Sequence, residues 1–133
     1  MPPTFPAPHR VAVLVRNGVL AMELGIAHRI FGQARDADGA PLYEVATCAV
    51  RPGTVRTDGD VGVTVEHGPE LLAAADTVIV PATDADDTLT ALDEELVAAL
   101  RRRRPDARLA SICTGSFVLA AAGLLDGRRA TTH

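Results

Sequence analysis

Four short, largely apolar runs constrain the fold of this chain more than any other feature. They are residues 10–16 (RVAVLVR), 42–50 (LYEVATCAV), 76–80 (DTVIV) and 108–112 (RLASI). Runs of this length and character read as strands, and those without polar alternation read as strands buried on both faces. The segments between them have a different period. In residues 22–34, Leu24, Ala27, Ile30 and Phe31 recur at helical spacing, and before Arg101–Arg104 so do Leu92, Leu96, Val97 and Leu100. Thr90 and Asp93 form a weak capping box for that second helix. Residues 69–75 read as a short helix, and 115–122 as an apolar helix closed by Gly123. Residues 54–57 and 61–65 straddle Asp58-Gly59-Asp60, which signals a hairpin. A further strand is expected to begin at 128–132. Strands alternating with helices predict an α/β fold: a doubly wound, mainly parallel sheet sandwiched by helices.

Composition fits that expectation. The 133 residues suit one domain, and 47% are hydrophobic, enough for a core. Aromatics are only 3% and Trp is absent, so the core must be built from Val, Leu, Ile and Ala. All 13 basic residues are arginine, yet the net charge is −4, which makes this stretch a poor nucleic-acid binder by itself. Arg101–Arg104 is better read as the cationic last turn of a helix. Cys48 and Cys113 are far apart and lack metal spacing, and His9, His28 and His67 have no partner at ligand spacing. Asp84, Asp86 and Asp87 lack the EF-hand pattern. No metal and no cofactor are expected. Cys48 falls in a strand and reads as core. No run is long enough to span a membrane and no signal peptide is visible, so a cytoplasmic location with free thiols is the expectation. Residues 1–9, with four prolines, read as a flexible leader.

The chemistry-bearing segment is Ala110-Ser111-Ile112-Cys113-Thr114-Gly115-Ser116. It places a cysteine between a strand and a helix, as a nucleophile elbow does. Gly115 lets the helix and strand approach closely. The start of the helix presents backbone N–H groups that favour negative charge on the sulfur. A small cysteine packed in a turn fits the same spacing. Two other residues bear on the choice. His133 ends the next predicted strand, where it would activate the thiol if the two strands were neighbours. Glu23 follows the first strand. It is placed either to compensate the helix dipole or to hydrogen-bond the sulfur and carry a proton.

These residues resemble the DJ-1/PfpI superfamily, whose fold is of the class I glutamine amidotransferase type. The most specific stretch is 111–133, SICTGSFVLAAAGLLDGRRATTH. The family's elbow cysteine matches Cys113, its histidine in a Thr-Thr-His context matches His133, and its acidic residue matches Glu23. Two branches resemble the chain closely. One is the ligand-sensing domain of AraC-type transcription regulators, similar around Glu23-Leu24-Gly25, Ile30-Phe31-Gly32 and Pro41-Leu42-Tyr43-Glu44-Val45. The other is the isonitrile hydratases, which share Cys-Thr-Gly-Ser, and in which the cysteine attacks while an acid and the threonine, here Thr114, assist.

The resemblance carries two departures. Many catalytic members have Pro-Gly-Gly where this chain has Pro81-Ala82-Thr83, and alanine does not supply glycine's backbone freedom for an oxyanion site. Family domains also continue past the histidine. Residues 10–133 are therefore expected to be a DJ-1/PfpI-like domain incomplete at its C-terminus, with any DNA-binding module missing. The leading expectation is a ligand-sensing domain of an AraC-type regulator. It would bind a small molecule near Cys113, Glu23, His133 and Thr114, contact DNA only through the missing domain, pair as a homodimer and have no membrane partner. The alternatives are a cysteine-nucleophile hydratase or amidase, and a redox-sensing cysteine protein.

Overall fold

The run at 10–16 becomes the central strand of the sheet. In the computed structural model, which describes residues 8–84 and 94–132, this strand is β1 (His9–Val15), and Val11 to Val15 are all buried. It pairs in parallel with β2 (Tyr43–Ala49) on one side and β5 (Thr77–Val80) on the other. β6 (Arg108–Ser111) extends the sheet beyond β5, giving the order β2-β1-β5-β6, with every pairing parallel. Register follows the apolar runs, with Val13 beside Thr47 and Ile79.

Alternating side chains of β1 feed two cores, one on each face of the sheet. Val11, Val13 and Val15 join Val19, Ala27, Ile79, Val55 and Val65 under α1 (Ala21–Gln33) and the antiparallel hairpin β3 (Gly53–Arg56) and β4 (Gly62–Val65). Ala12 and Leu14 join Cys48, Leu72, Val78, Leu100, Val118 and Leu119 under α2 (Glu70–Ala74), α3 (Glu94–Arg101) and α4 (Gly115–Ala121). Burial on both faces is the physical reason that the runs lack polar alternation. The cores contain Val, Leu, Ile and Ala, as the aromatic-poor composition requires. The aromatic contacts lie at the edge, where Tyr43 meets Phe31 and His9 in edge-on geometry.

The hairpin does more than cover a face. Its turn is held by Thr57, whose Oγ1 donates to the Val61 carbonyl at 2.6 Å. Leu20, which precedes α1, has no side chain able to cap it. The Asp58 carboxylate accepts the Ala21 N–H at 2.9 Å instead, a cap supplied from another element. Arg56 reaches Asp84 at 3.0 Å, and its carbonyl accepts the Gly18 N–H at 2.8 Å.

At the amino-terminal edge, Asp76 accepts the Arg10 N–H at 2.8 Å and pairs with Arg104 at 2.9 Å. The backbone donor, helped by the Arg104 guanidinium, holds the Asp76 carboxyl below the usual carboxylate range. A lowered folded-state pKa stabilises the fold above the unfolded value and loses that effect as pH falls through the folded one. The melting temperature of wild type should therefore exceed that of Asp76→Asn at neutral pH. The gap should close as pH drops below about 4. A constant gap across that range would refute the assignment.

One expected element does not form. Residues 128–132 contain no strand, and their neighbourhood is set by Gly123 and Gly127, both at positive φ, which turn the chain after α4. The outer edge of β6 has no strand partner among the described residues. A groove of about 740 Å3 runs along it, with Leu109, Leu119, Leu124 and Leu125 among its walls. The expected cap at Thr90 and Asp93, the aspartates at 86 and 87, and the leader up to residue 7 lie outside the described residues. No helix among the described residues is long and apolar enough to cross a membrane.

Candidate functional site

Cys113 stands in the turn between β6 and α4, and its φ is +52°. It is the only non-glycine residue with positive φ among the described residues. A side chain in this left-handed region costs on the order of 1–3 kcal/mol and persists only where its surroundings enforce it. The enforcement is visible. Ile112 N–H donates to the Val80 carbonyl at 3.0 Å, which carries the β5–β6 pairing one residue past β6. The Cys113 carbonyl accepts from the Ser116 hydroxyl at 3.1 Å and the Thr132 hydroxyl at 3.2 Å. Gly115 then turns the chain into α4 directly against β5. A Cβ at Gly115 would lie 2.1 Å from the Val80 carbonyl oxygen.

Glu23 approaches the same β5 end from the other side. It lies in the first turn of α1, yet it is only 5% exposed, so a solvated dipole-compensating role does not describe it. Its Oε2 accepts the buried Ala82 N–H at 2.6 Å. This is a contact with the backbone, not with the Cys113 thiol. Val80-Pro81-Ala82 thus forms a short bridge, with Glu23 bonded to its far end and Gly115 packed on its near end. Residues 81–83 are all buried. The Ala82 carbonyl accepts Leu20 N–H at 3.0 Å, so both backbone polar groups of Ala82 are committed internally. An N–H held by a carboxylate is not free to stabilise an oxyanion.

Thr114 occupies the start of α4, and its Oγ1 is buried without a hydrogen-bond partner among the described residues. His133 lies outside the described residues. Its predecessor Thr132 does reach the Cys113 carbonyl, which brings the end of the described chain to the cysteine turn. Sequence reasoning therefore placed Cys113 and Glu23 at the same sheet edge. It named Ala82 only as a departure at an oxyanion position and did not show that Ala82, Ser116 and Thr132 hold the loops together. Ala82 acts through its backbone, so only a Glu in a first helical turn with no other partner hinted at it.

The two cysteines differ. Cys48 is fully buried in β2, and burial, aided by the nearby Glu70 carboxylate, pushes its thiol up to about 12. Cys113 is half-buried. A thiol-labelling reagent at pH about 8 should modify Cys113 in the folded chain and reach Cys48 only on denaturation. Mass spectrometry of the two peptides checks this, and equal labelling of both would contradict the burial of Cys48. Among the described residues, no group of three or more His, Cys, Asp or Glu side chains converges as a metal site.

Comparison with known proteins agrees with this architecture. The family model for DJ-1/PfpI matches residues 9–133. The chain belongs to the DJ-1/PfpI family. It is 36% identical over 132 residues to an uncharacterized protein from the cpoL 5' region of Streptomyces lividans, covering 95% of this chain and 88% of that protein. It is 36% identical over 126 residues to the HTH-type transcriptional regulator GlxA of Rhizobium meliloti, covering 91% of this chain and 37% of the regulator. A stretch of 42 residues, 31% of this chain, is 55% identical to isonitrile hydratase of Pseudomonas putida and covers 18% of that enzyme. Among solved structures, a ThiJ/PfpI family protein from Pseudomonas syringae superposes with a TM-score of 0.76 at 26% identity, over 96% of this chain and 54% of that one. Apart from the Streptomyces protein, the matched stretches cover between about a fifth and about half the length of these relatives.

Proposed function

We propose that this chain is the small-molecule-sensing domain of a helix-turn-helix transcription regulator. In this reading residues 10–133 form the sensing unit, DNA is contacted by a separate module, and the ligand lies at the carboxyl end of the sheet beside Cys113. The observation that carries the reading is the likeness to regulator GlxA across 91% of the chain. The Glu23–Ala82 hydrogen bond supports binding over turnover, because it occupies an N–H at the Pro-Ala-Thr segment where catalytic relatives are expected to carry oxyanion-binding glycines. His133 and Thr114 complete the proposed site. Pairing with a second copy belongs to the same proposal. Met22, Ile26 and Ile30, exposed along one side of α1, support it.

The test is the coding sequence downstream of codon 133. A helix-turn-helix pair in the same frame is the expected result. A stop codon with no helix-turn-helix pair encoded before it would overturn the reading.

A second reading rests on the left-handed backbone of Cys113, taken with the 42-residue likeness to isonitrile hydratase. The Cys113 thiolate would add to the isonitrile carbon while the carbon takes up a proton, giving a thioimidate. Water would then add and release an N-substituted formamide, returning the thiol. Formamide production that survives Cys113→Ala would exclude this chemistry at Cys113.

A further inference from the structure

A second cleft, of about 300 Å3, opens at the carboxyl ends of β1 and β2. Arg16, Asn17, Arg51, Thr54 and Glu95 supply polar groups to its wall, and Val50 and Leu96 supply apolar ones. Neither Cys113 nor Glu23 lines it. The position is the one that open parallel sheets use for ligands, because strand ends and their loops form a crevice there. The strand order itself reverses next to the cleft, between β1 and β5.

The charges in this cleft do not balance. Arg51 pairs with Glu95. Arg10, Arg56 and Arg104 elsewhere in the chain also have carboxylate partners. Arg16 has none among the described residues. The hydrogen bond it makes there runs from Nη2 to the Thr83 hydroxyl, at 3.2 Å. Its Nε is buried and has no acceptor among the described residues. A guanidinium N–H withdrawn from water without an acceptor is unfavourable, and such groups in native folds call for a specific explanation. A carboxylate is the group that answers a guanidinium best, because its two oxygens match the planar fork.

We propose that this cleft binds a small organic carboxylate. Its carboxylate pairs with Arg16, and its apolar body rests on Val50 and Leu96. Arg16 also touches Thr83, the neighbour of Ala82, whose N–H is held by Glu23. An occupant here would therefore bear on the loop after β5, against which Gly115 packs. The binding itself holds whether or not the chain belongs to a regulator.

The experiment titrates butyrate, butyramide and butylammonium into the isotope-labelled chain at neutral pH and follows its amide resonances. Butyrate should shift Asn17, Arg51 and Thr54, with butyramide and butylammonium about ten-fold weaker or worse. Arg16→Gln should weaken butyrate by about ten-fold, and Arg16→Lys by less. Three results would overturn the proposal: no shift in the cleft at the highest butyrate concentration, equal binding of all three probes, or wild-type butyrate affinity in Arg16→Gln. If Arg16→Gln gives no folded spectrum, the ratio of butyrate to butyramide affinity in the wild-type chain decides.

Discussion

Gly115→Ala should lower the stability of the chain by about 3 kcal/mol or more, at the upper end of the range for overpacking. The added Cβ would fall 2.1 Å from the Val80 carbonyl oxygen and 3.1 Å from the Pro81 carbonyl carbon. Both are backbone atoms, so no side chain can swing aside to make room. The strand end or the start of α4 must move instead, and Val118 and Leu119 lie in the core just beyond. For a chain of this size the melting temperature should drop by roughly 10 °C. Gly25→Ala is the control, since a Cβ there meets nothing within 4 Å. In a helix interior that change should stabilise by up to about 1 kcal/mol. Equal behaviour of the two variants would mean that the contact with Val80 does not constrain the fold.

Glu23→Ala should cost about 2 kcal/mol, and Glu23→Gln should cost less. The difference isolates the Ala82 N–H. Alanine leaves that donor buried without an acceptor, with a penalty of about 1–3 kcal/mol. Glutamine keeps a carbonyl oxygen within reach of it. Urea denaturation of the two variants reads the difference directly, provided their denaturant slopes match. If both variants lose the same amount, the hydrogen bond at 2.6 Å is not what holds the loop after β5.

Much of this architecture can be read from the order of residues, for a definite reason. Strands buried on both faces cannot alternate polar and apolar residues, so RVAVLVR and DTVIV announce themselves. The Cys113 turn was legible because glycine two residues later marks a close approach, and the Val80 contact is that approach. Contacts made by backbone atoms across long separations were not legible. Nothing in Pro81-Ala82-Thr83 advertises an N–H bonded to a residue 59 positions away. Nor does Leu20 announce that its helix is capped by Asp58. The strand expected at 128–132 does not form although the outer edge of β6 is open, because the chain after the turns at Gly123 and Gly127 runs across a groove from that edge instead of along it in hydrogen-bonding register. Those residues instead bring Thr132 to the Cys113 carbonyl.

The hairpin has a consequence for motion. It stands outside the parallel sheet, yet its turn caps α1 through Asp58, and Arg56 ties it to Asp84 beside the loop that carries Ala82. These links join the segments around Gly18, Ala21, Ala82 and Asp84 into one mechanical unit. Such units open together, and amide hydrogen exchange reads their opening. The protected amides of Gly18, Ala21, Ala82 and Asp84 should share a common opening free energy, and Asp58→Ala should lower it for all four. Slow exchange at Ala82 with fast exchange at Ala21 would show two units instead of one. If the unit is single, loosening a surface turn far from Cys113 in sequence unfastens the floor on which Glu23 rests.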